Sequence, residues 1–156
     1  MALKGINHVV LKVRDLERSE RFYRLLGFQP SGTRESLRMR FYHGGGHAHD
    51  LALLELGPDA PEPAREAVGL YHFCITVDDE AELGLLAQRL RDAGHRVSEG
   101  VDHVVSHSFY TRDPDNNGVE LSWDRPREAW PRGPTGAIAM VTEPLDLAYL
   151  VGELDR

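Results

Sequence analysis

The 156-residue sequence contains a single cysteine, Cys74, so an internal disulfide is excluded and a reducing compartment is predicted. No apolar stretch approaches the roughly 20 residues that cross a bilayer, and the first residues, MALKGINHVVLKV, lack the features of a signal peptide. Net charge is −7 and no basic run exceeds two residues, which argues against nucleic acid. We therefore predict a cytoplasmic protein whose partners include neither membrane nor nucleic acid.

What is present is an ordinary globular composition, with 41% hydrophobic and 28% charged residues. At this length the chain forms one domain, or two small modules that share a core. Cys74 stands in the apolar run YHFCITV, which predicts a packed core residue rather than a nucleophile.

One order of elements occurs twice. Residues 6–13 are β-branched and predict a strand, apolar positions in 15–27 have helical spacing, and 28–35, 37–43 and 50–57 predict three strands. After a proline-rich linker, 57–69, the order returns as a strand at 70–77, a helix at 78–94 and strands at 95–100, 107–113 and 118–123. The repeat predicts an α+β fold with paired βαβββ modules, since one module alone cannot cover its sheet.

The predicted boundaries follow from this repeat. Module one spans residues 5–57 and module two 68–124, within a single domain covering residues 1–124. The tail, 125–156, has no clear periodicity, although residues 145–154 could form a closing helix.

Three residues in this repeat predict a metal site. His8 and His72 stand at equivalent points of two related strands, and a pseudo-twofold relation would bring such positions together. Glu120 lies in the apolar strand GVELSW, where a carboxylate is costly unless a cation meets it. Two histidines and one carboxylate with open positions suit non-haem Fe(II). Each residue alone is more often a hydrogen-bonded core residue or a surface residue than a metal ligand.

The segments HVVLKVRDLERSERFY, YHFCITVDD and YTRDPDNNGVEL, with the repeat, resemble the vicinal oxygen chelate superfamily over residues 5–124. This superfamily includes glyoxalase I and the extradiol dioxygenases. The resemblance implies a cupped mixed sheet built from the paired modules, with a metal inside it. By the family motif the metal ligands would be His8, His72 and Glu120.

Further matches resemble the type I extradiol dioxygenases. HDLAL begins at His49, Tyr110 stands ten positions before Glu120, and HVVS begins at His103, with Val104 where glycine is usual. The resemblance implies ring cleavage of a catechol-type aromatic diol by O2, a reaction of aromatic catabolism, with Fe(II) or Mn(II) as cofactor.

The resemblance also gives roles to three residues. His49 would move protons to and from the substrate, while Tyr110 and His103 would contact its oxygens. The alternatives are that HGGGHAH is a mobile surface turn in which His47 replaces His49, that Tyr110 is a half-buried strand aromatic, and that His103 is a solvated loop residue.

Two other functions stay open on this fold. A glyoxalase- or epimerase-type isomerase or lyase would need a fourth ligand, for which Glu55 is available, and a small-molecule-binding resistance protein would lack the metal ligands. The usual Asp-Pro-Asp-Gly turn is DPDN here, and we expect Asn116 to take the positive φ. Because modules of this fold often pair between chains, a homo-oligomer is also open.

Overall fold

The computed structural model describes residues 5–62, 64, 66–139 and 141–152. Internal contacts divide the chain into two compact units. The first unit runs to Val68 and includes Asp113–Asn117, and the second contains Gly69–Arg112 and the chain from Gly118 onward. Among the helices that the structure describes, none has the length and apolar character needed to cross a membrane.

The first unit is a four-stranded mixed sheet with one helix. Strand β1 runs parallel to β4, and β3 and β2 continue the sheet antiparallel in the order β1-β4-β3-β2. The side chain of Asp15 caps helix α1 by accepting a hydrogen bond from the Arg18 amide. Alternate residues of β1 are buried, which makes one face of the sheet the core face. The elements are β1 Val9–Val13, α1 Leu16–Leu25, β2 Gln29–Arg34, β3 Met39–His43 and β4 Leu51–Glu55.

The second unit repeats this arrangement, in the order β5-β8-β7-β6, with β5 parallel to β8. Asp79 caps helix α2 by accepting hydrogen bonds from two amides of its first turn, and α2 packs against β5, β7 and β8. Its elements are β5 Phe73–Val77, α2 Glu80–Asp92, β6 Gly100–Asp102, β7 Ser106–Arg112 and β8 Gly118–Asp124. The predicted α+β fold with two βαβββ modules is therefore confirmed.

The tail adds two elements to the second unit. Strand β9, Glu143–Leu145, pairs antiparallel with β6 and becomes the edge of a five-stranded sheet. Helix α3, Leu147–Gly152, packs on α2, where Gly84 leaves the space it needs. The structure thus has a closing helix where one was expected, although residues 153 and 154 of that expectation lie outside the described part of the chain.

Two sequence predictions are wrong. The strand expected at 95–100 is absent: β6 starts at Gly100, and Val97 forms an isolated bridge with Thr111. The Ser98 amide donates to the Tyr110 carbonyl at 2.9 Å, but the Tyr110 amide donates to the Ser98 hydroxyl rather than to a backbone carbonyl, so the ladder is only half formed there. Cys74 is exposed rather than packed in the core, because β5 places it on the face away from α2.

Two strands also begin later than predicted. Strand β1 starts at Val9 and β5 at Phe73, so His8 and His72 directly precede their strands. In each sheet the parallel pairing begins only there, since Val9 pairs with Leu51 and Phe73 pairs with Val119.

The DPDNNG turn belongs to the first unit and is held by its buried carboxylates. Asp113 accepts hydrogen bonds from the Tyr23 hydroxyl at 2.9 Å and from the Asn117 amide at 2.8 Å. Asp115 forms an ion pair with Arg18. Asn116 has φ of +68°, which confirms that this residue takes the place of the usual glycine.

Candidate active site

Glu120 lies on the face of the second sheet that α2 does not cover, which we call the open face. On this face it stands between Cys74 of β5 and Tyr110 of β7, its direct neighbours in the strand register. Two side chains meet its carboxylate from opposite oxygens: the His72 Nε2 atom is 3.0 Å from Oε2, and the Tyr110 hydroxyl donates to Oε1 at 3.2 Å. The carboxylate in this apolar strand is thus hydrogen-bonded and only 12% exposed.

His103 extends this contact into a chain of four side chains. Its Nε2 atom is 3.1 Å from the Tyr110 hydroxyl, and its Nδ1 atom is 3.3 Å from the Val141 carbonyl in the tail. A hydroxyl that donates to Glu120 can accept from His103, so the chain offers a path for a proton. The structure therefore brings His72, Glu120, Tyr110 and His103 together.

The environment of the open face raises the pKa values of two uncharged groups, Tyr110 and Cys74. Desolvation, followed by the charge of Glu120, raises the pKa of Tyr110 to about 12. The phenol consequently keeps its proton at neutral pH and can donate it in a hydrogen bond. Although Cys74 is exposed, partial desolvation and then the Glu120 charge raise the pKa of its thiol to about 12. This disfavours the thiolate that a nucleophile would need.

A short turn between β6 and β7 presents His103. Val104 follows it with φ of +69°, the left-handed conformation that a β-branched residue rarely takes. This explains why glycine is usual at that position. The Asp102 carboxylate holds the turn, because it accepts hydrogen bonds from the Val104 amide at 2.6 Å and from Arg125 at 2.8 Å. His107 lies 3.2 Å from the same carboxylate.

The remaining predicted residues lie in the first unit. His8 is exposed, and its ring lies 4.5 Å from that of His49, measured between centroids. His49 also meets the ring of Phe41 at 5.1 Å. His47, the alternative to His49, is 2.9 Å from the Asp50 carboxylate. Glu55, the fourth ligand expected of an isomerase, forms an ion pair with Arg38.

Comparison with known proteins gives the family. Residues 5–121 match the model of the Glyoxalase/Bleomycin resistance protein/Dioxygenase superfamily. The chain belongs to this superfamily.

Curated relatives within the superfamily are dioxygenases. The chain is 39% identical over 150 residues to catechol-2,3-dioxygenase of Bacillus subtilis (strain 168), covering 95% of this chain and 51% of that protein. It is 29% identical over 138 residues to an iron-dependent extradiol dioxygenase of Rhodococcus jostii (strain RHA1), covering 76% and 42%. The chain thus spans about half the length of these relatives.

Solved structures of the superfamily share the fold. A glyoxylase/bleomycin resistance protein/dioxygenase domain from Frankia sp. EAN1pec is 26% identical with a TM-score of 0.66, covering 80% of this chain and all of the other. A lactoylglutathione lyase from Agrobacterium tumefaciens is 27% identical with a TM-score of 0.59, covering 79% and 96%.

His72 and Glu120 fit two of the three metal ligands expected in this superfamily. Adjacent ligands of an octahedral cation, each at about 2.1 Å, lie about 3.0 Å apart, and the His72 and Glu120 atoms are separated by 3.0 Å. The Nδ1 atom of His72 is buried and has no hydrogen-bond partner among the described residues. Within the described ranges no three His, Cys, Asp or Glu side chains form a group that could hold a metal. The convergence of His8 with the other two ligands stays a prediction.

The two sheets differ at the positions that carry this chemistry. In the first sheet Ala52 takes the place of Glu120, since it pairs with Val10 as Glu120 pairs with Cys74. Phe41 takes the place of Tyr110, as the register partner of Ala52. The repeat therefore offers one carboxylate and one phenol, both on the second sheet.

Sequence reasoning did not find the residues that support the site. Asp102 resembles an ordinary turn residue, and the contact from the tail carbonyl of Val141 leaves no side-chain signal. The valine at 104, where glycine is usual, was the available sign of a special turn.

Proposed function

We propose that this chain is an extradiol ring-cleavage dioxygenase, which opens a catechol-type aromatic diol with O2 and uses Fe(II), with Mn(II) as the second choice. The observation that carries the proposal is the pairing of Tyr110 with Glu120 on the open face, in hydrogen-bond contact with His103. The 39% identity to a catechol-2,3-dioxygenase supports it. As the chain spans about half of that relative, the activity of the whole relative is itself part of the proposal.

In this proposal His8, His72 and Glu120 hold the metal ion. Bound Fe(II) would supply the redox chemistry that lets a diol react with O2. Tyr110, protonated at neutral pH, donates a hydrogen bond to a substrate oxygen and orients the ring. His49 acts as the acid–base residue: it takes a proton from the diol and later returns one.

Oxygen consumption tests the proposal. The protein is purified without oxygen and loaded with Fe(II), and O2 uptake and the yellow ring-opened product are followed with a panel of catechols. We expect the two signals to match and to fall at least about 100-fold in His49→Ala, the scale of a lost acid–base group. Both should be lost in Glu120→Gln, which removes a proposed metal ligand. His47→Ala, from the same loop, and Glu99→Gln, an exposed glutamate, are the matched controls and should keep the activity. Absence of uptake with every catechol, despite bound metal, would refute the proposal.

An isomerase or lyase is the second candidate, because the structure named lactoylglutathione lyase shares the fold at 27% identity. Such an enzyme would need no O2 and would accept Ni(II), Co(II) or Zn(II). Glu55, its expected fourth ligand, is engaged by Arg38, which favours the dioxygenase. If the wild-type protein binds no metal, both enzyme proposals fail and a small-molecule-binding resistance protein becomes the better hypothesis.

A further inference from the structure

Gly118, the first residue of β8, has no side chain, and the two residues directly before β5 occupy the space that a side chain would take. A Cβ atom added to Gly118 would lie 2.4 Å from the carbonyl oxygen of Tyr71 and 3.0 Å from the Cβ atom of His72. Packed atoms do not approach as closely as 2.4 Å, and the nearest atom belongs to the backbone. A side chain at position 118 therefore requires residues 71 and 72 to move.

Backbone conformation does not explain this glycine. Its φ lies outside the left-handed region in which glycine has a special advantage. The first sheet provides a comparison, because Asp50 takes the place equivalent to Gly118, directly before the residue that pairs with the start of the parallel strand. A side chain is accepted there, so this type of strand pairing does not itself demand glycine. The close approach is specific to the segment that carries His72.

We propose that Gly118 is a positioning residue that sets the contact between His72 and Glu120. The Cα and Cβ atoms of His72 would lie 3.2 and 3.0 Å from a side chain at position 118. The Nε2 atom of the same residue is 3.0 Å from the Glu120 carboxylate. Moving the backbone of His72 off β8 therefore opens this contact. The inference rests on the proposed function where it treats the contact as part of a metal site.

Two alanine variants of the metal-free protein test the contact directly. In Gly118→Ala we expect the imidazole 15N resonances of His72 to shift to the values found in Glu120→Gln, because both variants remove the same interaction. Gly69→Ala is the matched control, since nothing lies within 4 Å of its added Cβ and its φ is ordinary. It should keep the wild-type resonances. Wild-type resonances in Gly118→Ala would overturn the proposal.

Binding of Mn(II), followed by electron paramagnetic resonance, adds a second measurement. Displacing a supporting group of a metal site typically costs about 10- to 100-fold in affinity, and we expect this loss in Gly118→Ala but not in Gly69→Ala. In a His72→Ala background Gly118→Ala should cause no further loss, and an equal loss there would overturn the proposal. If the wild-type protein binds neither Mn(II) nor Fe(II), the proposed function fails, while the resonances still decide the role of Gly118.

A backbone clash can also unfold a variant. If far-UV circular dichroism shows that Gly118→Ala is unfolded, the resonance comparison is repeated in a Val104→Gly background, in which relief of the Val104 conformation is expected to stabilise the chain. If the double variant is unfolded as well, Gly118 is needed for folding in general, and the proposed specific role is overturned.

Discussion

Replacing Val104 by glycine should stabilise the protein, although most substitutions of a partly buried valine destabilise. Val104 has φ of +69°, and an L-residue pays about 1–2 kcal/mol for this conformation. Its two γ-methyl groups make valine poorly suited to it. Glycine adopts this conformation without the steric cost. Its greater freedom in the unfolded chain, however, lowers the free energy of unfolding by about 0.5–1 kcal/mol.

Taking the middle of each range leaves a net gain of about 0.7 kcal/mol. For a chain of this size 1 kcal/mol changes Tm by about 2–4 °C, so we expect Tm to rise by about 1–3 °C in a thermal scan. The Asp102 carboxylate continues to accept from the amide of residue 104, so the turn should keep its shape. His103 should therefore remain against Tyr110, and catalytic activity should be unchanged.

Val105→Gly is the matched control because its φ is not positive. It gains no relief of strain and should lower Tm, since glycine costs about 0.5–1 kcal/mol in ordinary extended backbone. A Tm that falls equally in both variants would refute the reasoning. It would mean that the left-handed conformation of Val104 does not destabilise the protein. The glycine usual at this position would then have another cause.

Three further predictions concern the framework around the site. Tyr23→Phe should lower the free energy of unfolding by about 1.5–3 kcal/mol in a urea titration, because the buried Asp113 carboxylate loses a hydrogen-bond donor; no change would show that Asn117 suffices. Gly84→Ala should lower Tm even though alanine is favoured inside a helix by about 1 kcal/mol, because its Cβ would lie 2.9 Å from the Val151 side chain. A rise in Tm would contradict this packing of α3. Desolvation raises the pKa of Asp102, but hydrogen bonds from the Val104 amide and His107 outweigh it and hold the pKa below its usual value. The stabilisation that ionised Asp102 provides is thus present above about pH 4 and is lost as the pH falls through the folded-state pKa. The free energies of unfolding of wild type and Asp102→Asn, measured by urea titration, should therefore converge in acid.

The fold could be predicted because each of its elements is encoded locally. Helices α1 and α2 carry apolar residues at helical spacing behind the capping residues Asp15 and Asp79, and strands β1 and β5 are short runs rich in β-branched residues. The repeat then supplied the pairing of modules. The strand at 95–100 could not be excluded in this way, because its failure depends on a bond between the Tyr110 amide and Ser98, twelve residues apart.

The candidate site could be predicted only in part, for a related reason. The family resemblance, with its ten-residue spacing, pointed to Tyr110 and Glu120, and the strand register places both on the open face. The same alternation places Cys74 on that face, but the apolar letters around it indicated the core. Hydropathy reports how much of a strand is buried and does not say which side faces the helix, whereas the strand register does.

Glu120 makes the second sheet chemically different from the first. Both sheets have the same topology, yet at the equivalent place in the first sheet β4 carries Ala52, which needs no polar partner. A carboxylate at that place becomes tolerable when donors reach it, and here the phenol of Tyr110 and the imidazole of His72 do so. The phenol stands where the first sheet has Phe41. Gly118 admits the imidazole by letting its backbone lie close to β8. These differences make two equivalent places of the repeat chemically distinct, with a carboxylate at Glu120 in the second sheet and a methyl group at Ala52 in the first.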